Sequence, residues 1–158
     1  MYNGYILRNA IVDEAKFLSE LALRSKAYWG YSNEFLEACR PHIYVDADYI
    51  NDWPVVIIES NDIIIGFLSL KTIKSENRLD NLWIEPEFIN KGYGKVLFHE
   101  AVKQAKKLGW DSFKLAGEPD AVAFYEKMGA KLIGEIQSRL RDDLFLPHME
   151  MSLKQTNK

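Results

Sequence analysis

Of the 158 residues, one is cysteine, five are proline and three are histidine. Cys39 stands alone, so no internal disulfide can form and stability must come from a packed core. A reducing compartment is the expected setting. His42, His99 and His148 are far apart in sequence and no His/Cys/Asp/Glu cluster has metal spacing, so no metal site is expected. Long apolar runs are missing too. Runs such as 55–58 and 63–65 are strand-sized, whereas a membrane helix needs roughly 20 residues. The opening residues, MYNGYILRNA, show neither the basic nor the apolar segment of a leader. These absences predict a cytoplasmic protein with no membrane partner. There is also no basic excess. Twenty Lys and Arg face 23 Asp and Glu, a net charge of −3, which argues against a nucleic-acid partner. No repeat, linker or low-complexity tract divides the chain, so a single domain over 1–158 is expected, with 154–158 as a frayed tail.

What is present is an ordinary globular composition, 47% hydrophobic, whose apolar residues fall into readable periods. A strand is predicted over 5–8, then a helix to Lys26 capped by Asp13, with Phe17, Leu18, Leu21 and Ala22 on its buried face. A second helix over 33–40 ends at Pro41, and a helical turn over 46–53 stops at Pro54. The stretches 55–60 and 63–72 read as strands joined by a tight turn at Asn61 and Asp62. A third strand spans 79–84. The stripe Leu97, Ala101, Ala105, Leu108 marks a helix over 92–108, with lysines in its last turn and Gly109 after it. Next come a strand at 112–115, a helix at 120–128 and strands at 131–136 and 145–153. Pro147 predicts that the last strand is an edge or carries a bulge. The order β-α-α-β-β-β-α-β-α-β-β implies a mixed α/β (α+β) sheet, because neighbouring strands favour hairpins while the helix at 92–108 favours a parallel crossover.

Chemistry concentrates between strand 79–84 and that helix, in the run Ile89, Asn90, Lys91, Gly92, Tyr93, Gly94, Lys95. Two glycines permit close backbone approach, the first helical N–H groups lack partners, and two lysines add positive charge. Together these suit a phosphate or pyrophosphate. A glycine turn before a surface helix would look the same. A Walker loop is absent, and Leu97 stands where a dinucleotide fingerprint needs Gly or Ala. There is no G-x-S-x-G elbow either, and lone Cys39 in an apolar helix reads as packing.

The run from Ile89 to Gly94 resembles motif A of the GNAT superfamily of acyl-CoA N-acyltransferases, Q/R-x-x-G-x-G/A, with Ile89 at the first position. Downstream, Ala121, Phe124, Tyr125, Lys127 and Gly129 resemble the family's motif B, N-x-x-A-x-x-F/L-Y-E-K-x-G-F/A, and Glu118 stands where Asn is usual. The resemblance implies a mostly antiparallel central sheet of about seven strands, flanked by helices. It also implies acetyl-CoA bound where strands 79–84 and 112–115 splay. Backbone groups of Leu82, Trp83 and Ile84 would meet the pantetheine amides and residues Asn90 to Lys95 the pyrophosphate, with Ile89, Glu118, Phe124 and Tyr125 completing the cofactor site.

In such an enzyme a primary amine attacks the thioester directly and coenzyme A leaves. Tyr125 is the expected general acid for the departing thiolate. Asp80, on the strand entering the site and expected to share a face with Leu82 and Ile84, is the first candidate base; Glu85 and His42 are others. Tyr28, Trp29, Tyr31 and Glu34 are expected to line the acceptor cleft, while Trp53 and Trp83 are expected in the core. The expected acceptor is a small-molecule amine. A protein or peptide amine is the alternative, and a CoA-binding sensor without catalysis is a third reading. The terminal strands, as an apolar edge, predict a homodimer.

Overall fold

The computed structural model describes residues 4–154. Lys154 apart, the expected tail lies outside the described residues. The elements run β1 (Tyr5–Asn9), α1 (Ala15–Ala27), α2 (Asn33–Cys39), α3 (Ala47–Asp52), β2 (Val55–Ser60), β3 (Ile63–Ile73), β4 (Glu76–Ile84), α4 (Tyr93–Lys107), β5 (Ser112–Ala116), α5 (Val122–Lys127), β6 (Lys131–Gln137) and β7 (Phe145–Ser152). Among the described residues no helix is long and apolar enough to cross a membrane.

All seven strands form one sheet in the order β1-β2-β3-β4-β5-β7-β6. Only β4 and β5 are parallel, joined through α4. The sheet has helices on both faces. Val56, Ile58, Leu68 and Leu70 pack on α4 and α5 through Leu97, Phe98, Ala101 and Tyr125. Val55, Ile57 and Phe67 pack on Leu18, Leu21 and Ala22 of α1. Burial from both sides explains why β2 opens with four apolar residues in a row rather than alternating. Removing each such side chain from water contributes about 1.5–3 kcal/mol.

Several expectations change in the structure. Asp13 does not cap α1; it lies inside a 3₁₀ turn, Val12–Glu14, and Glu14 takes the backbone N–H of Ile11 instead at 3.0 Å. Phe17 is 45% exposed because it sits one position off the buried stripe, and it carries the Arg24 guanidinium 5.4 Å above its ring. Leu108 is 44% exposed, since the helix has already ended there. Both turn residues of each tight hairpin, Asn61–Asp62 and Lys74–Ser75, have positive φ. The second hairpin extends β3 and β4 beyond their predicted ends. Strand β7 is no edge: it pairs with β5 on one side and β6 on the other. Pro147 is tolerated because its backbone faces the end of β5, where Gly117 N–H donates to its carbonyl at 3.0 Å and no return donor is present. On this side of the sheet the edge is β6, exposed along its length.

Candidate active site

Opposite Ser69 and Leu70 of β3 stand Asn81 and Leu79, which leaves Asp80 as an extra residue in β4. This bulge has two consequences. It turns Asp80 toward α3 together with Asn81, rather than toward α4 with Leu82 and Ile84 as regular alternation predicts. It also coincides with the parting of β4 from β5, which pair only at Arg78 and Lys114. Beyond the bulge, Glu85 N–H donates to Ile65 of β3 at 2.8 Å, so by alternation Trp83 also faces β3 while Leu82 and Ile84 turn their backbone groups into the gap. Ile84 N–H is taken by the buried Ser25 Oγ at 3.3 Å. The backbone of Leu82 is thus the part of the expected trio that faces the groove with both its N–H and its C=O. Gly66 allows this crowding, because a Cβ there would lie 2.4 Å from the Trp83 carbonyl oxygen.

The gap opens into a cavity of about 500 Å³ lined by Leu82, Trp83, Ile84, Ile89, Asn90, Gly92, Gly94, Lys95, Glu118, Phe124 and Tyr125. Asn90 and Gly92 both have positive φ, 66° and 93°, and bend the chain so that α4 begins with its N-terminus at the cavity. The amides of Gly94 and Lys95 lie in that first turn, where the helix supplies no acceptor, and the dipole favours an anion. Lys91 is exposed beside them. The Tyr93 ring turns inward against Phe88, centroids 5.9 Å apart, and its side chain is buried. Phe124 lies under Gly94, where an added Cβ would meet its ring at 3.4 Å.

Tyr125 is buried on α5 and faces this cavity. Burial, with the charge of Glu118, pushes its phenol well above the ordinary tyrosine range. The residue is held against Gly117, where a Cβ would come within 3.1 Å of its ring. Glu118 is buried, and both its oxygens are engaged. Lys26 of α1 approaches one at 2.7 Å, and the Tyr31 hydroxyl donates to the other at 2.5 Å. The Lys26 ammonium also lies 4.6 Å above the Tyr31 ring. Glu118 therefore anchors the segment after α1 to the end of β5.

A second cavity, about 670 Å³, opens between α2, α3, β3, β4 and the β6–β7 connection. Asp80 and Ala116 line both cavities, so the two meet there. Tyr44, Tyr49, Trp53 and His42 line this second cleft. Trp53, expected in the core, is a half-buried wall of it. Tyr49 Oη donates to Asp80 Oδ2 at 2.6 Å. Burial first, then the charge of Asp80 and that hydrogen bond, push the Tyr49 phenol upward, so it stays a donor.

The remaining expected residues separate. Trp29 lines the first cavity, whereas Tyr31 lines neither and donates its hydroxyl hydrogen to Glu118. Tyr28 is exposed and lies edge-on to Trp29 at 5.2 Å, while Glu34 is exposed on α2; neither lines either cavity. Glu85 is bound by Arg24 through two hydrogen bonds of 2.9 and 2.6 Å and lines neither cavity, which removes it as a base. Cys39 is buried beside Leu23 and Phe35, where burial raises its thiol pKa, in keeping with a packing role. Among the described residues no cluster of His, Cys, Asp or Glu is arranged to hold a metal. Sequence reasoning missed Ser25, Lys26, Tyr49 and Ser69. Tyr49 had one available signal, its place one turn inside a helix capped by Asp46 and stopped by Pro54.

A family model described as acetyltransferase (GNAT) family matches residues 22–130. An uncharacterised N-acetyltransferase of Porphyra purpurea, ycf52, is 30% identical over 79 residues, 48% of this chain and 45% of that one, so the match spans less than half of that relative. The spermidine N(1)-acetyltransferase of Thermoplasma acidophilum is 32% identical over 117 residues, 65% of this chain and 71% of that one. Among solved structures, PaiA N-acetyltransferase of Thermoplasma acidophilum in complex with coenzyme A superposes with a TM-score of 0.75 at 25% identity, covering 94% of this chain and 99% of that one.

Proposed function

The chain belongs to the acetyltransferase (GNAT) family, and from that premise we propose that it transfers an acetyl group from acetyl-CoA directly to a primary amine of a small molecule, releasing coenzyme A. The observation that carries this reading is the meeting of two separately built cavities at Asp80 and Ala116. One has the polar furniture of a CoA site. The other leads to the same point from the opposite side, as an attacking amine must.

The residues fit the cofactor. Leu82 offers backbone N–H and C=O groups to an extended arm, as a neighbouring strand would. Gly94 and Lys95 N–H groups, with Lys91, offer a cradle for a pyrophosphate. Bound acetyl-CoA supplies an activated thioester. Tyr125 gives its Oη proton to the sulfur that departs as the C–S bond breaks and the N–C bond forms, and the proton shed by the new amide nitrogen restores the phenol. Asp80 attracts the incoming ammonium and takes its proton, so that the neutral amine attacks. Trp29 and Trp83 wall the groove, and Tyr44, Tyr49 and Trp53 line the acceptor cleft.

A small aliphatic amine is favoured over a peptide because a relative matched over 71% of its length is a spermidine acetyltransferase. The homodimer keeps a physical basis in the exposed apolar side chains Leu132, Ile133 and Ile136 on edge strand β6. The test is thiol release from acetyl-CoA against a panel of polyamines, monoamines, amino acids and unacetylated peptides. Turnover with amines but not peptides is expected. Turnover with peptides alone overturns the acceptor class, and coenzyme A binding without turnover on any acceptor overturns the enzyme.

A further inference from the structure

Five side chains across α3, β3 and β4 form a hydrogen-bonded file: Trp83, Asn81, Ser69, Tyr49 and Asp80. Trp83 Nε1 donates to Asn81 Oδ1 at 2.7 Å. Asn81 Nδ2 donates to Ser69 Oγ at 2.9 Å. Ser69 Oγ and Tyr49 Oη are 2.8 Å apart, and Tyr49 Oη lies 2.6 Å from Asp80 Oδ2. The chemistry of the two ends fixes every hydrogen between them. An indole nitrogen only donates, so it must meet the amide oxygen of Asn81, which turns the Asn81 NH₂ to Ser69. An ionised carboxylate only accepts, so Tyr49 must donate to Asp80 and take its own hydrogen bond from Ser69. All four hydrogens therefore point the same way and end on one oxygen of Asp80. Such chains polarise cooperatively. Ser69, at the middle of the file, is fully buried, while the members at its two ends reach the cavities.

We propose that Tyr49 is the positioning residue for acetyl transfer, holding Asp80 through this one-way file so that its second oxygen faces the acceptor amine. This rests on the role given to Asp80 above. The bulge makes it possible: with Asp80 inserted, Asp80 and Asn81 both turn toward α3, so one strand supplies the carboxylate and the amide that steadies it. Trp83 lines the cofactor cavity and Tyr49 the acceptor cleft, so the file ties the geometry of one site to the other. Tyr49 is fixed at its other side by Lys71, whose ammonium lies 4.8 Å above the ring.

The experiment is a kinetic double-mutant cycle of Tyr49→Phe and Asp80→Asn, with Ser69→Ala as a second way to cut the file. Tyr49→Phe keeps the ring and its contact with Lys71. We expect it to lower kcat about tenfold or more, the weight of one hydrogen bond to a charged group, at an unchanged acetyl-CoA KM. Ser69→Ala should act in the same direction and less. In the Asp80→Asn background Tyr49→Phe should add nothing, because the group it positions is gone. Multiplying effects, or wild-type kcat in both Tyr49→Phe and Ser69→Ala while Asp80→Asn is slow, overturn the positioning role and leave the Asp80 role standing. Wild-type turnover in Asp80→Asn overturns the Asp80 role itself, and the inference with it.

Discussion

Lys26 and Glu118, 92 positions apart, meet in a 2.7 Å ion pair with side chains only 7% and 10% exposed. Desolvating two charges offsets most of their attraction, so such a pair is a better positioning device than a stabiliser. Removing one partner leaves the other charge buried. Lys26→Met or Glu118→Leu alone should therefore destabilise by about 3–5 kcal/mol, and the double replacement should recover most of that loss. Urea unfolding of the three variants checks this; equal losses in the single and double variants would contradict it.

Tyr125→Phe should lower kcat by about 10²-fold or more, the usual weight of a general acid, while coenzyme A affinity stays near wild type. Gly117→Ala should show a weaker version of the same defect, since its Cβ would press on the Tyr125 ring at 3.1 Å. Single-turnover acetyl transfer reads both. An unchanged chemical rate in Tyr125→Phe would remove it from the mechanism.

Burial is the first cause that raises the phenols of Tyr31, Tyr49 and Tyr125 above their ordinary value. The sign follows from linkage. Near pH 10 the unfolded chain releases these protons while the folded chain retains them, so the folded state binds more protons and stability falls as pH rises. Below that range the contribution is fully present. Each retained proton steepens the loss by about 1.4 kcal/mol per pH unit above an unfolded pKa of about 10. Denaturant midpoints between pH 8 and 11, together with tyrosinate absorbance, measure it; full ionisation of these phenols near pH 10 in the folded protein would contradict it.

Gly92 sits at φ 93°, a conformation that a β-branched residue strongly resists. Gly92→Val should therefore lose coenzyme A affinity and also about 1–2 kcal/mol of stability from the left-handed backbone. Lys91→Ala should lose affinity modestly, and less at high salt, because an exposed charge is screened beyond about 8 Å at physiological ionic strength. Calorimetric titration at two salt concentrations separates the two effects.

The sheet is legible because its apolar runs are bounded by turn residues, and Gly92 before α4 is legible because few residues tolerate that bend. The bulge at Asp80 is not. Nothing in Arg78-Leu79-Asp80-Asn81-Leu82 marks an extra residue, since a bulge is set by the partner strand. For the same reason strand alternation puts Asp80 on the wrong face and hides its pairing with Tyr49, which comes from a six-residue helix. Pro147 misled in the opposite direction: a proline usually marks an edge, but here its missing donor faces the end of β5. Lys26 and Glu118 were unreadable as a pair because only the fold brings α1 to the end of β5.

Edge strand β6 carries an irregularity at Ile133, where its register with β7 shifts. Bulges discourage edge-to-edge pairing, so contact through apolar side chains is the expected route to a homodimer. Light scattering at micromolar concentration should give twice the chain mass, and Ile133→Lys with Ile136→Lys should halve it. A monomeric wild type would contradict the dimer.

The most direct test of the splayed groove is amide NMR with coenzyme A titrated into the intact protein. The Leu82 amide, turned into the gap between β4 and β5, and the Gly94 and Lys95 amides at the start of α4 should shift strongly. Their hydrogen exchange should slow on binding. Saturable binding that leaves these three amides unmoved and protects another surface would contradict the placement of the cofactor between β4 and β5.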